Sequence, residues 1–79
     1  MDNIGKYNEG FINAFEIDNE ILLEGLEYET IPEWDSIGHM SLIAELEDAF
    51  EISMEMDDII DFSSYKKGIR IMKKYDIEI

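Results

Sequence analysis

A chain of 79 residues has room for one domain, 1–79, and its core must be thin, because a chain this short buries only about 60% of its unfolded surface. Cysteine is absent, which excludes a disulfide framework and any thiol nucleophile from the protein itself. A net charge of −14 speaks against nucleic acid and anionic membrane as partners and in favour of basic protein surfaces.

The charge is also segregated. Lys6 is the only basic residue before Lys66, and Lys66, Lys67, Arg70, Lys73 and Lys74 gather near the carboxyl end. The chain does not open with a basic patch followed by an apolar run, and no apolar stretch approaches the length of a membrane span. A soluble, cytoplasmic, monomeric protein without membrane insertion is expected.

Ile4, Tyr7, Phe11, Ala14 and Phe15 recur at spacings of three and four, which predicts an amphipathic helix from Asn3 to Phe15. Asp2 or Asn3 can cap it. Residues 16–35 show no sustained period and are rich in carboxylates, yet Ile21, Leu22, Leu23, Leu26 and Ile31 are too apolar for a solvated linker. A long loop folded back over the helices is expected, with one helical turn near 20–23. Asp18, Glu20 and Glu24 lack the spacing and the glycine of an EF-hand, so no metal site is expected.

Pro32 opposes a helix at and just before it, and Asp35 is a strong cap, so a second helix should start at Ser36 and run to Phe50. At 100° per residue, Leu42, Ile43, Leu46, Ala49 and Phe50 gather on the side expected to face the core. Ile37, Met40 and Ala44 gather opposite, beside Ser41, Glu47 and Asp48. That second stripe is expected to be a docking face. His39, the only histidine, should be structural, bonded to a backbone carbonyl and forming no dyad with Ser36.

Met54, Met56, Ile59, Ile60 and Phe62 cluster around Asp57 and Asp58, predicting a short third helix from Met56 or Asp57. Ser63 or Ser64 can cap a last helix whose buried face carries Tyr65, Gly68, Ile69, Met72 and Tyr75. Gly68 should allow a close helix approach, and the late lysines suit the negative end of the helix dipole. The expected fold is all-α: a small bundle of three longer helices and one short helix, with a long first loop.

Asp35-Ser36-Ile37, followed by Leu42, Leu46 and Glu47-Asp48-Ala49-Phe50, resembles the second helix of the acyl carrier protein family. The resemblance implies a carrier domain whose Ser36 bears a covalent 4′-phosphopantetheine arm, with Asp35 as part of the recognition motif. The arm would hold acyl or aminoacyl groups as thioesters. It further implies a phosphopantetheinyl transferase and acyl-loading and acyl-transfer enzymes as partners, their basic surfaces docking on Ile37, Met40, Ser41, Ala44, Glu47 and Asp48.

Trp34, Gly38 and Ser41 depart from the fatty-acid pattern, and Ser36-Ile37-Gly38 is similar to the Ser-Met-Gly of D-alanyl carriers. A specialised carrier in a dedicated pathway is therefore as plausible as one of primary fatty-acid synthesis. The missing Gly-Gly before Asp35 argues against a typical peptidyl carrier. No base, nucleophile and oxyanion donors stand together in the sequence, so no enzymatic activity is expected. The alternative from another class is an acidic helical adaptor without a prosthetic group.

Overall fold

The computed structural model describes residues 2–18, 20 and 25–79. Four helices are described: α1 (Asn3–Phe15), α2 (Ser36–Phe50), α3 (Met56–Asp61) and α4 (Tyr65–Lys73). Among the described residues the only β pairing is a single antiparallel bridge between Glu27 and Ser64. Three longer helices and one short one, with a long first connection, is the architecture that periodicity and capping predict. Of the helical turn expected near 20–23, residues 21–23 lie outside the described residues.

Local capping chemistry sets the helix starts. Asp2 accepts the Gly5 N–H at 2.9 Å and Asp35 accepts the Gly38 N–H at 2.8 Å. The Ser64 hydroxyl accepts the Lys67 N–H at 3.0 Å. Each bond satisfies one of the donors that a helix start leaves without an intrahelical partner. α3 has no side-chain cap, but Asp57 and Asp58 put negative charge on its first turn, where the dipole favours it. α1 and α2 both end on a left-handed residue, Glu16 and Glu51, whose N–H returns to Ile12 and Glu47 respectively.

α1 packs directly on α2. Tyr7, Phe11 and Phe15 supply one wall of the core, and Leu42, Ile43 and Leu46 the other. Phe62, Ile71 and Met72 close it from the α3–α4 side, while Ile17 and Leu26 fold in from the first connection. Ala49 and Phe50 lie at the margin, half-buried, with Lys6 reaching 5.9 Å from the Phe50 ring centroid. The largest buried side chain is Trp34, which stands between the Phe11 and Phe15 rings at 5.6 and 5.2 Å. Composition and period give no hint of that burial.

α4 is tied to α1 by two phenols. Tyr7 donates to the Tyr65 carbonyl at 2.6 Å, and Tyr65 donates to Asn8 at 2.5 Å. Burial pushes the ionisation of both phenols up, so they remain donors throughout the physiological range. Gly68 is what lets α4 come this close. A Cβ built there would run into the Tyr7 hydroxyl and the Phe62 ring.

Asp58 is the one charged side chain buried among the described residues, at 5% exposure. Lys74 donates to its Oδ1 at 2.7 Å, and the Tyr75 hydroxyl donates to its Oδ2 at 2.6 Å. The Tyr75 oxygen in turn accepts the Glu55 N–H just before α3. This polar lock fixes the short α3, which has no fully buried apolar side chain of its own, to the chain that follows α4. The Lys74 hydrogen bond, and then that of Tyr75, hold the Asp58 carboxyl below its usual range against the opposing effect of burial.

Two outcomes test this architecture. Leu46 is fully buried, so Leu46→Ala should cost about 2–5 kcal/mol, whereas Met40→Glu at a 55% exposed site should stay within about 0.5 kcal/mol; paired melting curves compare them. The lowered Asp58 ionisation stabilises the fold above the ordinary carboxylate range, and this stabilisation is lost as pH falls through the folded-state value. Asp58→Asn should therefore melt earlier than wild type at neutral pH, and the gap between them should narrow on acidification. A gap constant from pH 7 to pH 3 would refute the lock.

Candidate functional site

The site is built by the loop that enters α2. Tyr28 donates its N–H to the Ser63 carbonyl at 2.8 Å, and the Leu26 carbonyl accepts the Tyr65 N–H at 2.9 Å, which moors the loop to the α3–α4 junction. Thr30 closes a turn on Glu27, with its hydroxyl donating to the Glu27 carbonyl at 2.5 Å and accepting the Glu27 N–H at 3.1 Å. Trp34 then drops into the core. Asp35 caps α2, and Ser36 emerges as its first residue with an exposed side chain.

Burying an indole obliges its N–H to find an acceptor, and His39 supplies it. Trp34 Nε1 donates to His39 Nδ1 at 3.0 Å, with the two rings stacked at 6.2 Å and 16°. Since the indole nitrogen is a donor only, Nδ1 must be the acceptor, which places the imidazole proton on Nε2. His39 Nε2–H therefore donates to the Ile59 carbonyl at 2.7 Å. The structural role and the carbonyl partner are those expected of this histidine. The tryptophan partner joins residues whose side chains meet only once the loop folds.

Both imidazole nitrogens are thus committed, and Ser36 has no base in His39. The group nearest its oxygen in hydrogen-bonding terms is the Tyr28 hydroxyl, 3.4 Å from Ser36 Oγ. Gly38 has a steric reason. A Cβ there would meet the Glu33 carbonyl and approach the Phe15 ring. The loop lies against the first turn of α2, and only glycine leaves room for it.

Ser36 opens into a groove of about 370 Å³ between α2 and α3. Met40, Met56, Ile59 and Ile60 form its sides, Tyr28 stands at its mouth, and His39 and Phe62 lie along it. A larger concavity of about 690 Å³ lies at the two chain ends, between Asn3 and residues 76–79. It is the more polar of the two, and no residue of the Asp35–Ser36 turn borders it. The groove, not the larger concavity, is the space that the Ser36 hydroxyl can reach.

The expected docking residues are displayed outward. Ile37 is 80% exposed, and Met40, Ser41, Ala44 and Asp48 are exposed as well. Glu47 is half-buried, because its Oε2 accepts the Met54 N–H at 2.9 Å and so braces the chain after α2. The apolar stripe does not stop at α2. Met56 and Ile60 of α3 are about 70% exposed and continue it across the groove. Their i, i+4 spacing puts them on one face, the signal available in the sequence. Among the described residues, no group of three His, Asp or Glu side chains gathers as metal ligands. No helix among the described residues is long and apolar enough to cross a membrane.

His39→Ala should orphan the buried indole N–H, while the Ile59 carbonyl keeps the Phe62 N–H, costing about 1–3 kcal/mol beyond the loss of ring packing. Trp34→Phe keeps an aromatic ring but removes the donor, and should cost less. Denaturant melts of the two variants provide the check. A His39→Ala variant as stable as wild type would show that the bonds contribute nothing.

No family model, no curated protein and no solved structure matches this chain.

Proposed function

We propose that this protein is an acyl carrier of the phosphopantetheine-dependent kind, a specialised member acting in the cytoplasm, with the arm attached to Ser36. The observation that carries the reading is the exposed Ser36 hydroxyl on the first turn of a 15-residue helix, at the mouth of an apolar groove. The residues fit the group. The helix start offers unpaired N–H donors and the positive dipole end to a phosphodiester. The Asp35 carboxylate is engaged by Gly38, so it is turned onto the backbone beside the hydroxyl.

Attachment would join Ser36 Oγ to the pantetheine-bearing phosphorus of coenzyme A, break its pyrophosphate bond and release adenosine 3′,5′-bisphosphate. The hydroxyl proton must leave to a base of the transferase, since His39 is fully bonded. The arm supplies a thiol that holds acyl or aminoacyl groups as thioesters. The protein's own share of the work is to expose the serine, keep the first turn of α2 rigid and display Ile37, Met40, Met56 and Ile60 within an acidic surface. A transferase or acyl-handling enzyme with a basic rim around an apolar pocket complements that face.

The same acidic, apolar-centred face also supports a second reading, an adaptor without a prosthetic group. Intact mass separates the two. Incubation with coenzyme A and a broad-specificity transferase should add one phosphopantetheine to wild type and none to Ser36→Ala. Addition at Ser41, Ser53, Ser63 or Ser64, or no addition at all, would overturn the assignment. Met40→Glu should slow loading or onward transfer about tenfold with little change in melting, as expected for one central apolar contact.

A further inference from the structure

We infer that Tyr28 is a positioning residue for the group carried on Ser36, its phenol donating to that group's phosphate oxygens and so tying the loop before α2 to the modified serine. That the phosphate is the root of a pantetheine arm rests on the carrier reading above. The pairing of phenol with phosphate rests only on where the two side-chain oxygens stand.

The ring of Tyr28 has little freedom. Its backbone N–H is bonded to the Ser63 carbonyl at 2.8 Å, and the ring meets Trp34 edge-on at 6.3 Å and His39 edge-on at 5.7 Å. Trp34 is fully buried, so the phenol ring rests on the core. Its hydroxyl stands 3.4 Å from Ser36 Oγ and has no other hydrogen-bond partner among the described residues. An O–H···O bond is normally about 2.5–3.0 Å long. The phenol is held at the serine without being spent on it.

That gap suits an acceptor projecting beyond Oγ. A phosphodiester on Ser36 bonds its phosphorus to that oxygen and carries two further oxygens that share a negative charge. Rotation about the bond from Oγ brings them round to the phenol, and a hydrogen bond to an ionised acceptor is about twice as strong as a neutral one. The surrounding charge makes the donor matter. No Lys or Arg occurs between Tyr7 and Tyr65, and the loop and turn bring Glu27, Glu29, Glu33 and Asp35 instead. A phosphate here finds no cation on its own segment, so an uncharged donor must answer it. His39 cannot, because both its nitrogens are committed. Tyr28 belongs to the loop and Ser36 to α2, so the phosphate would bridge the two and stiffen the loop.

Phosphoserine placed at position 36 during translation supplies the phosphate with no transferase and no arm. Melting midpoints are compared for serine and phosphoserine proteins, each with and without Tyr28→Phe. That change keeps the ring and removes one exposed hydroxyl, so the serine protein should melt within about 2 °C of wild type. In the phosphoserine protein it should lower the midpoint by about 4–8 °C more. Phosphorylation should also slow hydrogen exchange at the N–H of residue 28 about tenfold, and Tyr28→Phe should abolish that slowing.

The phosphorus resonance reads the contact directly. It should move in Tyr28→Phe and stay in Tyr65→Phe, whose lost hydroxyl is bonded to Asn8. A resonance indifferent to Tyr28→Phe would show that the phenol does not touch the phosphate. Equal midpoint losses in the serine and phosphoserine proteins would show that it holds nothing there. Either result overturns the inference. A wild type that takes no arm from coenzyme A would defeat the carrier reading and leave the pairing standing, while a loaded wild type with an indifferent phenol would do the reverse.

Discussion

The hydrogen bond from Trp34 to His39 is the constraint on which the arrangement around α2 depends. A fully buried indole cannot leave its N–H without an acceptor, and the acceptor lies five residues on, across the start of a helix. Satisfying it fixes the depth of the loop, the rotation of the first turn of α2 and the protonation pattern of His39. The second imidazole nitrogen then reaches α3 through the Ile59 carbonyl. One buried donor thus couples three segments that share little else, and Ser36 rides on the element in the middle.

Much of this fold is legible in the sequence because helix ends are decided locally. Asp2, Asp35 and Ser64 act within three residues of where they stand, so the starts of α1, α2 and, to within one residue, α4 follow from capping and period. The Asp35–Ser36 turn, the core that Leu42 and Leu46 enter and the exposed stripe of Ile37 and Met40 are legible for the same reason. The burial of Trp34 is not, because it stands in a loop where the three-residue spacing from Ile31 and to Ile37 defines no helical face, and its neighbours Phe11 and Phe15 lie on a distant helix. Asp58 is hidden likewise. Its partners Lys74 and Tyr75 are 16 and 17 residues away, and a carboxylate beside Asp57 reads as one more solvated charge. The i, i+4 spacing of Met56 and Ile60 puts them on one face, but a six-residue helix does not tell from sequence whether that face is buried or exposed.

Electrostatics divides the molecule unevenly. Lys66, Lys67, Arg70 and Lys73 lie on α4, while α2, α3 and the loop before α2 carry carboxylates with no Lys or Arg among them. Among the described residues a single ion pair, Lys74 with Asp58, spans the two populations. It is placed where it matters most, at the short helix that forms one side of the groove. Among the described residues no other carboxylate is paired with a Lys or Arg, so the groove is framed by negative charge without cationic partners.

The left-handed positions tell a different story about glycine. Glu16, Glu29, Glu51 and Asp76 all have positive φ, a conformation that costs an L-residue about 1–2 kcal/mol and that glycine adopts freely. Gly38 and Gly68, by contrast, sit inside helices, where glycine is a poor choice for the backbone, because neighbours press on their Cα atoms. Of the described positive-φ positions only Gly25 is a glycine, so four acidic residues take the strain while Gly38 and Gly68 serve tight packing. The helix ends therefore hold a reserve of stability left unused, one that could be drawn on without touching the core, the groove or the serine.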